Sequence, residues 1–125
     1  MSKNEQKNNK KWGDFMDKKI KRGQIYMANL GNDYKIGVQS GIKPVVILSN
    51  DIGNTYSPSV IVAAITSRNK TNIPTHFEID LKYPSTVMLE QIFTVNKNDL
   101  ESFIRDLTDE EMNDLNRCLK ISIGL

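Results

Sequence analysis

The chain has 125 residues, 38% of them hydrophobic and 26% charged, with a net charge of +2. That length suits one domain around a single core, and the composition excludes a disordered or fibrous chain. No apolar run approaches the ~20 residues of a membrane-spanning helix, the polar N-terminus lacks the apolar core of a secretory signal, and the lone Cys118 permits no intrachain disulfide, so a cytoplasmic setting is expected.

Residues 1–19 are rich in Lys and Asn and are expected to form a flexible basic tail. Residues 1–22 hold eight cations against Glu5, Asp14 and Asp17, so the rest of the chain carries a net −3. Such an arm either contacts phosphates or is simply solvated. Within it Trp12, Phe15 and Met16 could form one amphipathic turn, which Gly13 interrupts.

From Ile20 to Leu125 the texture is that of one domain built from short strands. Residues 24–28 predict a first strand, followed by a loop over 31–41. Pro44 opens the apolar run Val45–Leu48, which reads as a strand buried on both faces. Residues 49–58 are dense in turn formers. Residues 60–66 are β-branched and apolar, the strongest strand signal in the chain. Residues 75–79 alternate as a half-exposed strand should, 86–89 predict another, and 92–95 continue it or pair nearby. Many short strands separated by turns predict a barrel or sandwich. The C-terminus differs: Thr108 and Glu111 have capping-box spacing, and Met112, Leu115 and Leu119 recur at three- and four-residue intervals, predicting a helix with one apolar stripe.

The chemistry narrows largely by exclusion. One His and one Cys cannot build a zinc site, no carboxylate cluster suits a two-metal nuclease, and no glycine spacing fits a phosphate or dinucleotide loop. No metal or cofactor is expected. His76 reads as structural before catalytic, Cys118 as a packing residue of the helix, and Glu90 as a salt-bridge or loop-anchoring carboxylate. What remains is a set of polar groups at strand ends. Gln39 and Ser40 precede Lys43, while Thr66 ends the strongest strand and is followed by Ser67 and Arg68. If those strands lie side by side, Lys43 and Thr66 share one pocket, and a cation with a hydroxyl suits a charged phosphorane-like transition state. Otherwise Lys43 is a surface charge and Thr66 an ordinary strand residue.

The ordered series Lys21-Arg22-Gly23, Gly41-Ile42-Lys43-Pro44-Val45-Val46-Ile47, Ser49-Asn50-Asp51-Ile52-Gly53-Asn54, Ser57-Pro58, Val60–Thr66, Pro74-Thr75-His76, Leu89-Glu90-Gln91-Ile92 and Ile121–Leu125 resembles the MazF/PemK toxins over residues 20–125. The resemblance implies an SH3-like β-barrel with a C-terminal α-helix, mainly β, acting as a homodimer. It also implies a toxin of a type II toxin–antitoxin system, a metal-independent endoribonuclease. Such an enzyme cuts single-stranded mRNA through attack of a 2′-hydroxyl, leaving 2′,3′-cyclic phosphate and 5′-hydroxyl ends. A cognate antitoxin would place an acidic segment in the RNA groove. The family's catalytic pair is an Arg before the Pro of the buried strand and a Thr ending the next strand, which correspond here to Lys43 and Thr66. Lys43 departs from the family, and an ammonium lacks the two-pronged phosphate contact of a guanidinium. Reduced activity is therefore expected, and the alternative is a weakened barrel that binds RNA or an antitoxin without cutting. Phe93 is a second departure from a family Arg; it either stacks an RNA base or fills core. Gln39, Ser40, Ser49, Asn50 and Ser67 are the remaining candidates for RNA contact. The apolar end Ile121–Leu125 suits an interface or intrachain packing.

Overall fold

The computed structural model describes residues 19–31, 39–68 and 72–125. The tail over 1–18, with Trp12, Phe15 and Met16, lies outside the described residues, as do loop positions 32–38 and 69–71. Six strands, β1 (Gln24–Asn29), β2 (Ile42–Ile47), β3 (Ser59–Thr66), β4 (His76–Asp80), β5 (Pro84–Asn96) and β6 (Leu100–Asp106), form one antiparallel sheet in the order β4-β5-β3-β2-β1-β6. Helix α1 (Asp51–Tyr56) joins β2 to β3, and α2 (Asp109–Ile123) ends the chain. The sheet curls into a partly open barrel. Arg105 on β6 donates to the carbonyl of Asp80 on β4 at 2.8 Å, which brings the two edge strands together.

The all-apolar runs occupy the middle of the sheet, where both faces are covered. Val45, Val46, Ile47, Val62, Ala63 and Ile65 are wholly buried. Burial of each Val or Ile contributes about 1.5–3 kcal/mol. Alternation divides these side chains between two cores. Ile25, Val46, Ala63 and Ile65 meet Leu115 and Cys118 of α2, while Tyr26, Val45, Ile47, Val60 and Val62 pack together on the other face.

The stretches 86–89 and 92–95 are parts of one strand, β5. A bulge separates them: Ala63 faces Ile92 while the next residue, Ala64, faces Met88. Two elements were not expected. In the turn-rich stretch, Asn50 accepts the Gly53 amide at 2.8 Å and caps the six-residue helix α1, so turn formers serve here as a cap. Strand β6 buries Leu100 and leaves most of its other residues exposed, so it carries no period-2 pattern. It is held by pairing with β1 and by an edge-to-face contact of Phe103 with Tyr26 at 5.5 Å.

Helix α2 starts as predicted. The Thr108 hydroxyl accepts the Glu111 amide at 3.1 Å and Glu111 accepts the Thr108 amide at 2.8 Å. Leu115 and Cys118 are buried, with Met112 and Leu119 packed beside them. Gly23, at φ +89°, lies under this helix: a Cβ there would stand 2.7 Å from the Met112 sulfur. Among the described residues no helix is long and apolar enough to cross a membrane.

Candidate active site

Pro44 determines where the central ladder ends. The Leu48 amide donates to the Ile61 carbonyl, so the backbone groups of every second residue from Leu48 back through Val46 to Pro44 point at β3. Pro44 has no N–H to give, and the bonded register of β2 with β3 stops at Val45 opposite Ala64. Extending that register by two residues sets Lys43 opposite Thr66, with both side chains on one face just beyond the last bonded pair. Both line a cavity of about 510 Å³. Thr66 is 3% exposed, and its Oγ1 accepts the Arg68 amide at 3.2 Å, which orients the oxygen and leaves its own O–H to donate elsewhere.

Sequence reasoning missed the opposite wall. Lys82 and Tyr83, from the segment joining β4 to β5, and Ser85 at the start of β5 line the same cavity as Lys43, Thr66 and Ser67. No periodicity or motif marked them; the only signal was a tyrosine before Pro84 in a gap between strands. Met27, Pro44, Ile65 and Ile104 supply apolar lining. The cavity is cationic. The ion pairs of the described residues are His76–Glu90, Arg105–Glu111 and Arg117–Asp114, and none involves Lys43 or Lys82. Two ammonium groups without a carboxylate, beside three hydroxyl side chains and a phenol on a largely apolar lining, have the chemistry that suits a phosphate-bearing ligand.

The other candidates fall elsewhere. The Gln39 amide donates to Gln91 Oε1 at 3.3 Å, which draws it with Ser40 toward the β5 bulge, and neither lines the cavity. Ser49 lies six residues beyond Lys43, roughly 20 Å along an extended chain. Its hydroxyl donates to Asn54 and accepts the Ile61 amide, while Asn50 caps α1, so both hold the β2–β3 connection. Phe93 packs against the core opposite Val62. It also lines a second cleft of about 280 Å³ with Asn29, Asn96 and Asp99.

His76 and Glu90 form a separate cluster. Glu90 accepts from His76 Nε2 at 2.7 Å and from the Thr75 hydroxyl at 2.9 Å. Burial pushes the Glu90 carboxyl up, but its hydrogen bonds with His76, the backbone and Thr75 outweigh that and hold it below the usual carboxylate range. Glu90 thus anchors the Thr75–His76 segment. Cys118 donates to the His76 carbonyl at 3.5 Å and Ser122 to the Leu89 carbonyl at 2.6 Å, fastening α2 to the same strands. Burial raises the Cys118 thiol, as fits a packing residue.

Residues 21–123 match the family described as PemK-like, MazF-like toxin of type II toxin-antitoxin system. The chain is 47% identical over 112 residues to the Endoribonuclease MazF of Staphylococcus saprophyticus subsp. saprophyticus, a match covering 85% of this chain and 92% of that protein. Among solved structures, it is similar to an endoribonuclease in complex with its cognate antitoxin from mycobacterial species. That likeness has a TM-score of 0.73 and 30% identity over 85% of this chain and 96% of the other. MazF from Deinococcus radiodurans has the same fold, with a TM-score of 0.74 at 17% identity over 87% of this chain and 100% of the other. A family match over most of the chain, a close relative aligned along nearly its whole length and the shared curled sheet agree: this chain belongs to the PemK-like, MazF-like toxins of type II toxin–antitoxin systems.

Proposed function

We propose that the chain is the toxin of a type II pair, a cytoplasmic endoribonuclease that cuts single-stranded mRNA without a metal ion. The observation that carries this reading is that Lys43 and Thr66, beyond the last β2–β3 pair at Val45 and Ala64, line one cavity. In the proposed reaction the 2′-oxygen of the RNA loses its proton and bonds to the adjacent phosphorus. The bond from phosphorus to the 5′-oxygen breaks, and that oxygen gains a proton. The products are a 2′,3′-cyclic phosphate and a 5′-hydroxyl end. DNA is spared because it has no 2′-hydroxyl. Lys43 neutralises charge on the non-bridging phosphate oxygens, and the Thr66 O–H donates to the same group. Ser67 lies at the cavity and extends the phosphate contact, and Phe93 in the second cleft offers a ring to a base.

The named relatives support the activity and the partner: one is an endoribonuclease, and a solved one is bound to its cognate antitoxin. An acidic antitoxin segment would occupy the same cationic groove. A homodimer accounts for the C-terminal apolar side chains, since Ile121, Ile123 and Leu125 remain 49%, 54% and 86% exposed in the protomer.

The test is incubation of the purified chain with a long single-stranded RNA in the presence of a chelator, followed by mapping of fragment ends. The expected result is new 5′-hydroxyl and cyclic phosphate ends, with slower cutting by Thr66→Ala and Lys43→Ala. RNA that is shifted on a gel but left intact at micromolar protein would overturn cleavage and leave a binding barrel.

A further inference from the structure

The segment between β4 and β5 is rigid in its backbone yet presents its largest side chain to solvent. The Tyr83 carbonyl accepts from the Leu81 amide at 3.2 Å and from the Ser85 hydroxyl at 2.8 Å, and Pro84 restricts the backbone of Tyr83, the residue before it. Tyr83 is nevertheless 61% exposed. The Lys82 ammonium sits 5.9 Å from the centre of that ring, and no carboxylate pairs with it among the described residues. Both residues line the cavity that holds Lys43 and Thr66. An exposed aromatic ring on a hydrogen-bonded turn beside an unpaired cation is an arrangement that holds single-stranded nucleic acid, with a base on the ring and a phosphate on the cation.

We propose that Lys82 and Tyr83 form a nucleotide-positioning lip on the catalytic cavity: Tyr83 stacks the base next to the scissile phosphate and Lys82 holds the neighbouring phosphate. This rests on the reading of the cavity as an RNA-cleaving site. RNA fits the pair better than an acidic peptide, because the exposed ring requires a partner with a π-face and a carboxylate has none. The ammonium covers one face of the ring and leaves the other for a base. Both side chains act through the position of the substrate, so their effect falls on binding before chemistry.

The experiment uses the full chain carrying Thr66→Val, so that RNA stays intact, and a fluorescein-labelled 12-nucleotide RNA of mixed sequence. Fluorescence anisotropy is read against salt concentration. Adding Tyr83→Ala should weaken binding at least about fivefold, and Tyr83→Trp should restore it. Lys82→Gln should lower the slope of log affinity against log salt by about 0.7, whereas Tyr83→Ala leaves the slope unchanged. In the cutting-competent chain Tyr83→Ala should raise KM and leave kcat within about twofold, the pattern of lost uniform binding. RNA binding unaltered by Tyr83→Ala and Lys82→Gln would overturn the lip. So would variants that lose affinity only for an aspartate-rich peptide, which would assign the surface to an acidic protein partner. If the variants weaken RNA binding but the parent never cuts, the lip stands and the cleavage reading falls; if the parent cuts and the variants bind normally, the reverse holds.

Discussion

Replacing Thr66 by valine separates the chemistry of the site from its architecture. Valine keeps the β-branched shape that suits the end of β3 and removes only the hydroxyl, in a side chain that is 3% exposed. Its structural effect is the loss of one hydrogen bond, the 3.2 Å bond from the Arg68 amide. Arg68 is exposed, so water can take that amide, and the cost is about 1 kcal/mol, or a fall of about 4 °C in Tm for a domain of this size. Even a protein of only about 5 kcal/mol stability would then be about 0.1% unfolded at 25 °C, far too little to affect a rate. The chemical effect is of another order. Removing one preorganised donor from a developing oxyanion lowers kcat by about 10²–10³. Single-turnover cleavage of an end-labelled RNA in chelator, beside a thermal melt monitored by circular dichroism, measures both. A Thr66→Val protein that melts within about 4 °C of the parent and cuts within threefold of its rate would refute the assignment of the hydroxyl to catalysis.

The other predictions follow from single contacts. Lys43→Arg should raise the single-turnover rate about tenfold, since one further charge-assisted hydrogen bond to the phosphate is worth about 1.5 kcal/mol; an unchanged rate would show that the ammonium suffices. Gly23→Ala should lower stability by about 1–2 kcal/mol in a denaturant titration, because φ there is +89° and the new Cβ would press on the Met112 sulfur. Glu111 is held below the ordinary glutamate range by its hydrogen bonds with Arg105, which together with those to Thr108 outweigh burial. A carboxyl depressed by folding contributes stability that is present above that range and lost as pH falls through its folded value. The melting temperature should therefore fall as pH drops through and below the ordinary glutamate range, and Glu111→Gln should flatten that fall while costing about 1 kcal/mol at pH 7.

Legibility followed burial. The central runs of β2 and β3 could be read because Val45–Ile47 and Val62–Ile65 are covered on both faces and so are uniformly apolar, and α2 because its cap and its stripe are local signals. Strand β6 could not, since an edge strand with one buried residue is stabilised by backbone pairing and by Tyr26–Phe103, neither of which leaves a period. Helix α1 was hidden for a related reason: its six residues include Gly53 and Asn54, poor helix formers, and it stands on the Asn50 cap and the bonds between Asn54 and Ser49. Residues 92–95 read as either continuing 86–89 or pairing nearby, and the choice depended on pairing with β3 across a bulge, which is a tertiary fact.

The site shows the same division. The expectation that Lys43 and Thr66 form the site came from the family likeness. That they line one cavity comes from the fold, which no spacing of 23 residues specifies. Pro44 links the two levels. As a residue it restricts only φ and removes one donor, but in the centre of this sheet the missing donor points at β3, so the ladder opens there and not a residue later. The open end falls where Thr66 completes β3 and where the β4–β5 segment brings Lys82 and Tyr83 across. A cation placed one residue before this proline is therefore delivered to the cavity mouth by the backbone itself, and its own side chain needs no carboxylate to hold it there. That explains how a lysine can occupy the position without disturbing the fold, and it makes the rate of Lys43→Arg, rather than its stability, the measurement that tests whether ammonium and guanidinium differ at this site.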